Sequence, residues 1–129
     1  MIDDDARCPC GTGETYGGCC GRFHRGRPAP TAELLMRSRF SAFAAGDEAY
    51  LLATWHPSTR PERVELDDAV RWYRLDVHRT SGGGPFEAEG RVDFSAHWHG
   101  PDRTRGTQRE SSRFLRQDGR WSYVDGEPG

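Results

Sequence analysis

Cys8-Pro9-Cys10 and, after eight intervening residues, Cys19-Cys20 are the only cysteines in the 129-residue chain. Thiolates in two close pairs are soft ligands, and four of them complete a tetrahedron around one ion with no vacant position, which is the pattern of a structural Zn²⁺ site. Pro9 and Gly11 can turn the first pair toward one point, and Gly13, Gly17, Gly18 and Gly21 supply backbone freedom to close the loop. Disulfides are the rival use. Adjacent Cys19 and Cys20 can hardly bridge each other without severe strain, although bonds across the pairs are sterically open. Met1-Ile2-Asp3-Asp4-Asp5 is acidic, and no signal-peptide apolar run follows it. His24, four residues after Cys20, could replace one thiolate if the intervening turn is helical.

Other residues carry weaker chemical signals. Arg7, Arg22, Arg25 and Arg27 surround the cysteine loop against a single Glu14. Arg37 and Arg39 flank Ser38 and could grip a phosphate or carboxylate, or could lie on a solvated helix face or pair with Glu110, Asp93 or Asp125. His56, before Pro57 and next to Trp55, is a candidate general base or a cap on backbone carbonyls. His97 and His99 share a strand face with Asp93 and Arg91, a spacing open to metal ligation but also ordinary for an exposed polar face. Glu110 is a candidate acid or base if it points inward beside His56, Tyr123 and Trp72, and a surface ion-pair partner if it points out. A Gly-x-Ser-x-Gly elbow, a phosphate-binding glycine loop before a helix and a cysteine outside the cluster are all missing, so nothing compels an enzyme.

The elements that must position these groups follow from punctuation and period. Arg25-Gly26-Arg27-Pro28-Ala29-Pro30 reads as a short stiff linker, which places a boundary between residues 1–27 and a second unit over 28–129. Thr31 is an N-cap for a helix with Leu35, Met36, Phe40, Phe43 and Ala44 on one face and Gly46 at its end. Asp47 caps a second helix running to Trp55, stopped by Pro57. A helical turn is possible around 65–70. Beyond it the period changes to two, with strands near 72–77, 91–99, 107–117 and 121–124. Ser81-Gly82-Gly83-Gly84-Pro85 and Asp118-Gly119 make turns, and the residues after Asp125 read as a frayed tail. Two helices followed by an antiparallel meander predict an α+β fold, a curved sheet folded over the helices with a pocket at its open end.

Composition narrows the function classes. A net charge of −2 is too near neutral for the chain as a whole to advertise nucleic-acid binding, and no stretch is long and apolar enough to cross a bilayer. The eighteen basic residues are all arginine. A hydrophobic fraction of 34% with 11% aromatics predicts a small core built around rings.

Cys8-Pro9-Cys10-Gly11-Thr12-Gly13, Tyr16 and Cys19-Cys20-Gly21 together resemble the SEC-C zinc knuckle known from the C-terminus of the translocation ATPase SecA. That resemblance implies one Zn²⁺ on Cys8, Cys10, Cys19 and Cys20. SEC-C knuckles commonly carry lysines around the tyrosine, where this chain has Glu14-Thr15-Tyr16-Gly17-Gly18, so the basic contact to nucleic acid or ribosome is weakened. Leu35-Met36-Arg37-Ser38-Arg39-Phe40-Ser41-Ala42-Phe43, Thr54-Trp55-His56-Pro57-Ser58, Glu110-Ser111-Ser112-Arg113-Phe114 and Trp121-Ser122-Tyr123-Val124-Asp125-Gly126 resemble the uncharacterised YchJ family, which implies an NTF2-like cone. The expectation is a cytoplasmic, non-enzymatic protein whose knuckle contacts a protein partner through Tyr16, Phe23 and the nearby arginines. The alternative is a small-ligand binder or enzyme using the cone's pocket.

Overall fold

Thr31 accepts a hydrogen bond from the Leu34 amide and starts helix α2 (Ala32–Ala45), which Gly46 ends by taking the left-handed conformation that a β-carbon disfavours. The computed structural model that shows this describes residues 2–128. A short helix α1 (Cys20–His24) precedes α2, and α3 (Glu48–Ala53) follows it behind an Asp47 cap that accepts from the Tyr50 amide. Helix α3 is shorter than the expected run to Trp55. Arg39 Nη1 takes the Leu51 carbonyl, and the Trp55 amide bonds to the Leu52 carbonyl instead, so the last turn tightens and the helix ends.

Strands β1 (Arg71–Gly82), β2 (Glu89–His99), β3 (Arg105–Gln117) and β4 (Arg120–Pro128) form one antiparallel sheet in the order β1-β2-β3-β4. Asp118 and Gly119 both have positive φ, as a two-residue hairpin turn between β3 and β4 requires. Val92, Phe94 and Ala96 of β2 alternate inward with Phe114 of β3 and pack against Leu35, Met36 and Phe40 of α2. The sheet therefore covers α2, the α+β arrangement that the element order predicts and that agrees with the cone implied by the family resemblance.

Three local expectations change. Residues 65–70 hold only a hydrogen-bonded turn from Asp67 to Val70, not a helical one. The segment after Asp125 is no frayed tail, because β4 continues to Pro128 and pairs Glu127 with Ser111. In β1 the expected alternation fails because a bulge between Trp72 and Arg74 resets the phase, so that Trp72, Leu75 and Val77 all pack on the core.

Beyond α3 the chain runs parallel to β4. The His56 amide donates to the Tyr123 carbonyl at 2.7 Å and the Tyr123 amide to the Thr54 carbonyl at 2.8 Å. This pairing covers the β4 edge at that point and closes one wall of the cone.

Candidate functional site

Two sites lie on opposite sides of α2. At the first, the antiparallel bridge Arg7–Thr15 and the bond from the Cys8 amide to the Glu14 carbonyl close a small loop, and Gly11 turns it at φ 87°. That turn presents Cys8 and Cys10 to Cys19 and to Cys20 at the head of α1. All four cysteines are buried and unbridged, and their sulfurs lie within 4.8 Å of one another. Cys10 and Cys19 sulfurs are 3.6 Å apart, far beyond a disulfide bond and close to the edge of about 3.8 Å expected for a tetrahedron of thiolates around Zn²⁺. The donor set, its closure and its burial fit a metal ion with four protein ligands.

Hydrogen bonds link the Cys8, Cys10 and Cys20 sulfurs. Hydrogen bonds from Cys10 and Cys20 hold the Cys8 thiol well below its ordinary range, while the same bonds, to Cys10 and to Cys8, push Cys20 up. Hydroxyls flank them, with Ser41 Oγ 3.5 Å from Cys8 Sγ and Thr12 Oγ1 3.2 Å from Cys19 Sγ. Such groups suit the negative charge of a four-thiolate centre.

Three contacts pin this loop to α2. Arg37 donates to the Cys10 carbonyl at 2.7 Å while pairing with Glu33. His24 Nε2 donates to the Ser38 carbonyl at 2.8 Å, which leaves Nδ1 to accept from the Tyr16 hydroxyl. Both nitrogens are thus engaged away from the sulfurs, and His24 is a bracket rather than the fourth ligand. Phe23 is buried in the main core cluster, not in the small one around the cysteines, so the expected boundary at residue 27 is bridged by packing.

The second site is a cavity of about 230 Å³ in the mouth of the cone. Met36, Phe40 and Phe43 of α2 line one wall, and Trp72, Phe94 and Ala96 the sheet wall. Polar groups are few: Arg39, Gln108, Glu110, Ser112 and Tyr123. Arg39 is only 3% exposed, and its Nη1 donates to the Leu51 carbonyl and to Thr54 Oγ1. Its guanidinium stacks over the Tyr123 ring at 4.6 Å and the Trp55 ring at 5.1 Å. Burial lowers the Arg39 pKa to about 10 and raises that of Tyr123 to about 12, with the Glu110 charge adding to the latter. At neutral pH the cavity therefore holds a cationic guanidinium and a neutral phenol. Glu110 accepts from Ser112 Oγ at 3.0 Å and lies across Gly126, where a β-carbon would occupy its place.

Of the expected pocket residues, Trp72, Glu110 and Tyr123 line this cavity together. His56 does not. Its Nε2 donates to Gln117 Oε1 and its Nδ1 accepts from Ser58, outside the cone, because pairing of its backbone with β4 turns the ring away. Arg39, expected on a solvated face or in an ion pair, is instead the buried charge of the cavity. Its helical phase with Met36 and Phe43 was the available signal. Tyr16 and Phe23 are buried, so they offer no exposed anchor, and of the four arginines Arg25 pairs with Asp4 and Arg22 donates to the Cys19 carbonyl. His97 bonds Asp76 and Thr107, and His99 stacks on Tyr73, which makes an ordinary polar outer face. A more open groove of about 400 Å³ lies beside His24, Tyr50 and Trp121.

Comparison with known proteins covers both sites. The family model described as the YchJ middle NTF2-like domain matches residues 31–126. A UPF0225 protein of Corynebacterium efficiens is 57% identical over 97% of this chain and 95% of its own length. One from Streptomyces coelicolor is 53% identical over 93% and 94%. Among solved structures, a SEC-C motif containing protein from Rhodopseudomonas palustris superposes with a TM-score of 0.82 at 32% identity, covering 95% of this chain and 98% of that one. Another, from Psychrobacter arcticus, gives 0.79 at 25% identity over 100% and 86%.

Proposed function

This chain belongs to the YchJ family, and from that premise we propose that it is a non-enzymatic binding protein in which Zn²⁺ staples the knuckle to a cone whose cavity takes a small molecule. Zn²⁺ would be held by Cys8, Cys10, Cys19 and Cys20. Four thiolates fill its coordination, so the chemistry it supplies is structural. Arg37, His24 and Phe23 pass that constraint to α2. Four unbridged cysteines are in keeping with a cytoplasmic setting.

The observation that carries the ligand reading is the 230 Å³ aromatic cavity with a buried guanidinium on its wall. Binding is favoured over catalysis because His56, the base that an acid–base pair with Glu110 would need, faces outward in bonds to Gln117 and Ser58. A protein partner at the knuckle is the second reading. It rests on exposed Arg7 and Arg27, which make no ion pair among the described residues, and not on aromatic anchors.

Metal analysis of protein purified without added zinc should give about one equivalent, lost in Cys19→Ser. A screen of one-ring molecules against the same protein should yield binders that Ala96→Leu, which fills the cavity, removes. A metal-free wild type would overturn the staple, and binders insensitive to Ala96→Leu would overturn the site. For the second reading, Arg7→Glu with Arg27→Glu should abolish any protein complex the full chain forms.

A further inference from the structure

Among the described residues Arg39 is the one charged side chain buried in the core, and no carboxylate pairs with it directly. A buried cation without a counter-ion is costly, and proteins supply the missing charge from a neighbour, from water or from a ligand. Among the described residues its two bonds both come from Nη1, to a carbonyl and a hydroxyl, and none comes from Nε or Nη2. Beside it, Trp55 Nε1 is a buried donor with no acceptor. One buried donor without a partner, beside a guanidinium bonded through Nη1 alone, points to a missing acceptor at the cavity rather than to a finished core. Glu110, across the same cavity, presents the opposite charge, with one oxygen held by Ser112.

From these groups we infer that the cavity binds a one-ring aromatic acid carrying a hydroxyl or similar donor, its carboxylate on Arg39 and its donor facing Glu110. The inference rests on the cavity reading above. A cavity of about 150 Å³ accommodates benzene, so 230 Å³ admits one ring with two short substituents. Trp72, Phe43 and Phe40 give that ring edge and face contacts. The guanidinium fork matches a carboxylate through two parallel N–H groups, which a point charge could not do. Glu110 sets the second condition, since its carboxylate repels a plain anion and rewards one that brings a hydrogen to it.

The test is a titration of the full zinc-loaded chain with 3-hydroxybenzoate, its neutral amide and benzoate, followed by NMR. The acid should bind about tenfold tighter than the amide, as a charge-assisted bond in a dry site predicts, and tighter than benzoate. Arg39→Met should erase the preference for acid over amide, and Glu110→Ala the preference for the hydroxyl. Equal affinity for acid and amide overturns the ligand class while the cavity reading stands, and equal affinity for benzoate overturns the role of Glu110. Binding of none of the three, with no shift at the cavity's tryptophans, overturns both. If Arg39→Met does not fold, the comparison of acid with amide in the wild type decides alone.

Discussion

Glu110 reaches the cavity only because Gly126, paired two residues away on the neighbouring strand, has no side chain to meet it. Gly126→Ala should therefore expel the carboxylate and destabilise the protein by about 1–3 kcal/mol, as an overpacked position does. In a Glu110→Ala background the same change should cost little, and a double-mutant cycle with no coupling would contradict the arrangement. Residues differ in how plainly the sequence announced them. The four cysteines were legible because ligand type and spacing are local, and their sulfurs converge as expected. Arg39 was not, because a charged residue in a helix is ordinarily solvated. Only the helical phase it shares with Met36 and Phe43, together with a cone whose interior is partly polar, places it inside. His56 misled for the opposite reason: its position before Pro57 is local, but its direction is set by pairing with Tyr123, far along the chain.

At the scale of elements, α2 serves both sites. The Arg37 and Ser41 side chains and the Ser38 carbonyl meet the knuckle, while Met36, Arg39, Phe40 and Phe43 line the cone. That two-sided burial encloses Ser38 and Ser41 as well as the apolar face the sequence marked, and the helix ends, Thr31 and Gly46, were plain. The strands were legible by period except where a bulge reset β1, since a one-residue bulge leaves no reliable mark in composition. The sheet's outer face carries ion pairs beside the Tyr73–His99 stack. Asp76 accepts from His97 at 2.8 Å and from Arg74 at 3.1 Å, and these bonds, His97 first, hold its carboxyl below the usual range. A depressed folded value means that the stabilisation is present above the unfolded pKa of about 3.9 and is lost as pH falls through the folded one. Asp76→Asn should accordingly lower the unfolding temperature at neutral pH and flatten its fall below about pH 4. An unchanged slope would show that the pair contributes nothing measurable, as exposed pairs sometimes do.

For the whole molecule, the knuckle has its own small cluster around the cysteines but lends Phe23 to the main core. Chelating the metal should release the amide protons of residues 6–19 to exchange while the four strands stay protected, with a lowered unfolding temperature because Phe23 loosens. Simultaneous loss of sheet protection would make the two a single cooperative unit. The central claim, that the cone's cavity is the binding site, is tested most directly by the four indole N–H signals during titration with a bound one-ring molecule. Trp55 and Trp72 border the cavity, Trp121 lines the rival groove, and Trp98 faces neither pocket. The account predicts that the Trp55 and Trp72 signals move together and saturably while those of Trp98 and Trp121 stay put. Movement of the Trp121 signal alone would contradict it.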